Sequence, residues 1–223
     1  MRAFLLALLL CGPAMAQTER VDLALVLAVD VSESVDSARY TLQMQGIARA
    51  LEDRSVQSGL LSGPNGAALV ALVQWSNRPA LTIPWTLLTS EADLRRFTAE
   101  VRQSRRASKG FTCMSVALRS IADRLVTQLP VPADRTVVDV SGDGRDNCNP
   151  REGVGEVRDE LVAAGITVNG LPILEGAEAG TLEAWYRENV IGGPSSFLVP
   201  AQGFADFERA IRRKFVVEIS RAN

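Results

Sequence analysis

The sequence predicts an α/β fold: a Rossmann-like, doubly wound, mostly parallel six-stranded sheet with one antiparallel edge strand and helices on both faces. Two observations carry this expectation. Leu23–Val29, Ala67–Gln74 and Arg135–Val140 are short runs dominated by aliphatic residues, the pattern of strands buried on both faces of a parallel sheet. Between them stand segments with apolar residues at helical spacing, and such alternation implies helices wrapped around that sheet. Neither an internal repeat nor a composition break interrupts residues 17–223, so they are expected to form a single domain.

The elements follow in order. After the first strand, Val35-Asp36-Ser37 opens a helix over 38–52, with Tyr40, Met44, Ile47, Ala48 and Leu51 along one face. Ser55–Gly66 is rich in Ser, Gly, Pro and Asn and reads as a loop. Ala67–Gln74 is the second strand. Pro79–Leu87 alternates more and contains Pro84, which suits the sheet edge. Ser90 and Asp93 form a capping pair for a helix to about Ser104. A polar loop, 105–112, precedes a helix over 115–128, stopped by Pro130 and Pro132. The strand at 135–140 delivers Ser141-Gly142-Asp143-Gly144. Pro150 opens a helix to about Ala164, with Gly165 as its cap. A strand over 166–173, a helix over 181–189, a short sixth strand at 196–199 and a closing amphipathic helix over 204–219 complete the chain.

The first residues stand apart. Met1-Arg2, an apolar core from Ala3 to Leu10 and the small-residue site Ala14-Met15-Ala16 form a signal peptide with cleavage after Ala16. Leu10 stands where lipidation of Cys11 would need a small residue, so periplasmic or secreted export without an anchor is expected. Of the 223 residues about 207 remain, enough for one full core. The leader holds one arginine and no acid, so the formal charge moves from −2 to −3, a balance that argues against nucleic-acid binding. The chain has no histidine, which removes Ser-His-Asp and Cys-His catalysis and any His-ligated metal. Two cysteines survive processing, Cys113 and Cys148, and in an exported protein such a pair is expected to form a disulfide. Lys109 and Lys214 are the only lysines beside many arginines, a bias read as compositional.

Asp30-Val31-Ser32-Glu33-Ser34 follows the first strand directly. The carboxyl edge of an open α/β sheet is where ligands bind. Asp30, Ser32 and Ser34, at alternate positions, offer only hard oxygen atoms, which suit Mg²⁺ or Mn²⁺. Alone, the motif reads equally as a turn in which Ser34 or Asp36 caps the next helix. Thr112 and Asp143 lie on two further loops at the same edge, and together the five residues offer two carboxylates and three hydroxyls.

With these residues in place, the chain resembles von Willebrand factor A (vWA) domains, over nearly all of Val21 to Ile219. In that family a metal-ion-dependent adhesion site (MIDAS) combines D-x-S-x-S, a separate Thr and an Asp in a D-G turn. Here these are Asp30, Ser32 and Ser34, then Thr112, then Asp143 with Gly144. The segment Val138–Gly144 resembles in particular a bacterial exported branch (DUF1194-like), although Ser141-Gly142 stands where many relatives carry Thr before this Asp. The resemblance implies Mg²⁺ (or Mn²⁺ or Ca²⁺) touched directly by Ser32, Ser34 and Thr112. Asp30 and Asp143 would act through water, and a partner protein's acidic residue would be the last ligand. A Cys113–Cys148 bond would then tie two of the three loops together.

The expected function is therefore an exported protein-binding module of adhesion or assembly type, monomeric and not an enzyme, with an unknown acidic partner. Two alternatives stand beside it. One is a Mg²⁺-dependent phosphohydrolase of the haloacid dehalogenase type, although Asp30-Val31-Ser32 lacks that group's second acid; the other is an assembly factor without a working metal site. Arg95, Arg96, Arg102, Arg105, Arg106 and Lys109, leading into the Thr112 loop, are read as a solvated helix face with steering of an acidic partner as the alternative, Trp75 as core or site rim, and Asp146 and Asn147 as turn formers.

Overall fold

A computed structural model describes residues 20–148 and 151–220. The leader and Pro150 lie outside them. The strands are β1 (Val21–Asp30), β2 (Ala68–Trp75), β3 (Ala80–Leu88), β4 (Ala133–Gly142) and β5 (Thr167–Pro172). The helices are α1 (Ser37–Glu52), α2 (Arg54–Leu61), α3 (Glu91–Gln103), α4 (Met114–Arg124), α5 (Val154–Ala163), α6 (Ala179–Asn189) and α7 (Phe207–Ser220). The strands form one sheet in the order β3-β2-β1-β4-β5, antiparallel only at β2·β3.

Every residue of β1 and β2 is buried, as their continuous apolar runs require once both faces are covered. One core layer joins the sheet to α1, α2, α3 and α7, and a second joins it to α4, α5 and α6. The chain leaves β1 toward β2 on one side and later places β4 on the other. The carboxyl ends of β1 and β4 therefore flank the switch point, where an open sheet leaves a crevice.

Two expectations are corrected. The sheet has five strands, not six. Residues 196–199 touch β5 through single bridges, Gly170 with Leu198 and, just beyond, Ile173 with Ala201. The N–H groups of Val199 and Ala201 donate to the carbonyls of Gly170 and Pro172, each at 3.0 Å, but Pro172 has no N–H to return a bond, so no continuous ladder propagates. The second correction is α2, which fills half of the expected loop at 55–66. The Asp53 side chain accepts from the N–H groups of Ser55 and Val56, and Val56 and Leu60 are buried; a cap and one apolar pair outweigh the Ser-rich composition. Pro84 sits in β3 at the edge, as expected, beside irregular register with β2.

Candidate metal centre

The chain after β1 is held by its backbone. Val31 N–H donates to the Trp75 carbonyl (2.8 Å), Glu33 N–H to that of Gly110 (2.8 Å), and Val35 N–H to that of Ser32 (3.0 Å). The carbonyls of this loop also have donors. Gln43 Nε2 reaches that of Asp30 at 3.0 Å and Arg39 Nη1 that of Ser34 at 2.5 Å. Arg106 reaches Val31 at 2.6 Å and Ser32 at 2.5 Å. With these backbone oxygens engaged, the loop's side-chain oxygens are the ones left for a ligand.

Those side chains converge. Ser32 N–H donates to Asp30 Oδ1 at 2.7 Å, the Ser32 and Ser34 hydroxyls lie 3.2 Å apart, and Ser34 Oγ donates to Asp143 Oδ1 at 2.7 Å. Thr112 enters beside Asp143-Gly144: a Cβ at Gly144 would stand 3.7 Å from its hydroxyl. Asn147 fixes Thr112 from both sides, accepting from its N–H and donating to its carbonyl, each at 2.9 Å. Asp146 caps the start of α4 by accepting from Ser115 N–H at 2.7 Å, and also accepts from Cys148 N–H at 3.0 Å. Cys113 and Cys148 are disulfide-bonded, with Cα atoms 5.1 Å apart. All five candidate residues thus lie at the β1/β4 switch point.

Burial sets the electrostatics of the two carboxyls. Asp30, wholly buried, has its carboxyl pushed up to about 7, by burial first and by the charge of Asp143 second, against the opposing hydrogen bonds from Ser32. Burial also raises Asp143, against the hydroxyl of Ser34. Asp30 Oδ2 is buried with no partner. Among the described residues no cluster of three His, Cys, Asp or Glu side chains could hold a metal alone. Two carboxylates supplemented by hydroxyls form a hard-oxygen set that fits a divalent cation such as Mg²⁺.

Several residues carry more than their sequence reading. Arg106 does not lie on a solvated face; it pins the loop bearing both serines. Asp146 and Asn147 bind the Thr112 loop to that of Asp143. Trp75 is core, with no exposed surface, because it closes a strand buried on both faces. Gly142 explains the departure before Asp143: a Cβ there would stand 2.9 Å from both Asp30 Oδ2 and the Tyr186 hydroxyl, so a threonine would displace the buried carboxylate. Tyr186, from α6, closes the site from behind and donates to the Gly142 carbonyl at 3.3 Å.

The disulfide closes a separation of 35 residues across two of these loops. Replacing Cys113 and Cys148 together by alanine is expected to cost about 2–4 kcal/mol in urea unfolding and to weaken divalent-ion affinity. A double variant matching the parent in both would refute the bond's role in the site.

Sheet order and switch-point site together define a vWA-type fold. The chain matches the family described as "Protein of unknown function (DUF1194)" over residues 20–223 and belongs to it. No curated protein matches it in sequence. Among solved structures it is similar to proximal thread matrix protein 1 (PTMP1) of the mussel byssus with a zinc-occupied MIDAS motif. That match has a TM-score of 0.65 and 14% identity, over 88% of this chain and 46% of that one. It is also similar to the pilus adhesin SpaC of Lactobacillus rhamnosus GG, with a TM-score of 0.60 and 15% identity, over 88% of this chain and 30% of that one. The chain thus spans less than half the length of these proteins. Among the described residues no helix is long and apolar enough to cross a membrane.

Proposed function

We propose that this chain is an exported, metal-dependent protein-binding module of adhesion or assembly type, acting in the periplasm or outside the cell as one domain over residues 17–223. The observation that carries this reading is the pair of buried carboxylates, Asp30 and Asp143, lined by serine hydroxyls, with Asp30 Oδ2 left unpartnered. Ser32, Ser34 and Thr112 would hold Mg²⁺ (or Mn²⁺ or Ca²⁺) directly, and Asp30 and Asp143 would act through water and fix the hydroxyls. When bound, the ion supplies a Lewis-acidic position for one more oxygen ligand. An Asp or Glu of a partner protein is suited to take that position. The zinc-occupied MIDAS of PTMP1 and the adhesin nature of SpaC support the reading. Binding is favoured over phosphohydrolysis because Asp30 has no exposed surface from which to attack and Ser32 occupies the position of the second acid.

Saturating Mg²⁺ is expected to raise the melting temperature above that in chelator, since a ligand of the native state alone stabilises it, by about 2.7 kcal/mol at a hundredfold excess over Kd. Identical curves would leave an assembly factor without a working ion site. Sustained Mg²⁺-dependent hydrolysis of an aryl phosphate would replace binding with catalysis.

A further inference from the structure

Most described arginines sit in ion pairs; on α3, Arg95 and Arg96 pair with Glu91 and Asp93, and Arg102 reaches Glu52 on α1. The β2 side of the metal centre departs from this habit. Segments 75–79 and 104–113 hold Arg78, Arg105, Arg106 and Lys109 and no acid. Arg106 is spent on loop carbonyls, while Arg78, Arg105 and Lys109 are exposed and have no ion pair among the described residues. Arg78 and Lys109 line a groove of about 490 Å³ with Asn77, Pro79 and Ser108. The groove is tied to the site: the Ser76 and Ser108 hydroxyls lie 2.7 Å apart, and Gly110 accepts from Glu33 between the two serines. Phe111, in sequence between Lys109 and Thr112, is 67% exposed, a large apolar surface left in water. Acids also stand around the site: Glu175 and Glu178 beyond β5, and Glu33, exposed between the serines and bonded to Gly110 through its backbone.

We infer that this side of the site is a docking surface for an acidic, extended peptide segment of a partner protein. Its metal-binding Asp or Glu is flanked on one side by an apolar residue, which covers Phe111, and then by further acids, which meet Arg78 and Lys109. The inference rests on the metal-dependent reading and names the partner's chemistry. The spacing follows from chain reach: Lys109 is three residues from Thr112, at most about 11 Å along an extended chain, so the flanking acids fall two to four positions from the metal-binding one. One-sided acidity favours a peptide over a uniform polyanion, which would also run against Glu33, Glu175 and Glu178. Unpaired rim cations mainly speed encounter and select partners, and Phe111 supplies the apolar anchor.

The test is selection of phage-displayed random dodecapeptides on the full exported chain loaded with Mg²⁺, eluted with EDTA. The expected peptides share one acidic residue with an apolar neighbour and acids on the same side. They bind the R78Q/K109Q/F111S variant about tenfold more weakly, while that variant keeps the parent's Mg²⁺-induced rise in melting temperature. The charge-reversed variant R78E/K109E is expected to select basic flanks instead. EDTA-eluted peptides without one-sided acidity, or with unchanged affinity for the variants, would overturn the docking surface and leave the metal-dependent reading standing. Failure to elute any peptide with EDTA would overturn that reading itself. Heparin binding that ignores EDTA but is lost in the variants would assign the patch to a polyanion and overturn the inference.

Discussion

Replacing Lys214 by alanine is expected to destabilise the protein by about 3–5 kcal/mol, the cost of leaving a buried charge without its partner. Lys214 is fully buried on α7 and forms an ion pair with Asp139 on β4, itself nearly inaccessible. Its ammonium also faces the Phe197 ring, 5.2 Å from the centroid. One turn on, Glu218 is equally buried; it accepts from Arg135 at 2.6 Å and from Asn169. Burial, and then the charge of Asp139, holds the Glu218 carboxyl above its ordinary range. Two cations therefore balance two anions beneath the helix, and removing one cation strands Asp139. The double change Lys214→Met with Asp139→Leu removes both charges and is expected to be near neutral. Urea unfolding of both variants checks this; a loss under about 1 kcal/mol for Lys214→Ala would mean that the ammonium is dispensable. Lysine at this position is thus a packed compact charge on a strand–helix interface, not only a compositional residue.

The stability of the metal-free protein is expected to fall as pH rises from 4 to 7. Unfolded, Asp30 ionises near 3.8; folded, its carboxyl holds the proton until about 7. The stability gained from this proton is complete below the lower value and lost as pH rises through the higher one. Three pH units correspond to about 4 kcal/mol. A divalent ion reverses the preference by stabilising the carboxylate, so Mg²⁺ affinity should rise over the same range. Below pH 7 binding should then release about one proton. Calorimetry in two buffers of different ionisation enthalpy measures the proton directly. In chelator, Asp30→Asn is expected to flatten the pH profile and to exceed the parent's stability at pH 8. A variant profile parallel to the parent's would place the titration elsewhere.

Strands and site were legible to different depths. The runs that became β1, β2 and β4 are aliphatic because both faces are covered, and that requirement is written residue by residue. Asp30, Ser32, Ser34, Thr112 and Asp143 stand out because a hard-oxygen site draws on few residue types at strand ends. The supports were not legible in the same way. Arg106 reaches back more than seventy residues to the carbonyls of Val31 and Ser32, a contact set by where two loops meet and not by spacing. Asn147 and Asp146 look like ordinary turn residues until their side chains are seen capping Thr112 and Ser115. Gly142 looked like a departure until Asp30 Oδ2 and Tyr186 were seen filling the space of its missing Cβ. Composition misled in two places: the Ser-rich α2 is carried by Asp53, Val56 and Leu60, and Pro172 on β5 interrupts pairing with the expected sixth strand.

The centre itself is tested most directly by calorimetric titration of Mg²⁺ into the parent and into the Ser32→Ala, Ser34→Ala double variant. Each change removes only one hydroxyl, from exposed Ser34 and buried Ser32, so the variant is expected to keep its far-UV spectrum and cooperative unfolding. Its Mg²⁺ affinity is expected to fall below detection, while the parent binds one ion. A folded double variant that binds Mg²⁺ with the parent's affinity would contradict a site built on Asp30, Ser32, Ser34, Thr112 and Asp143.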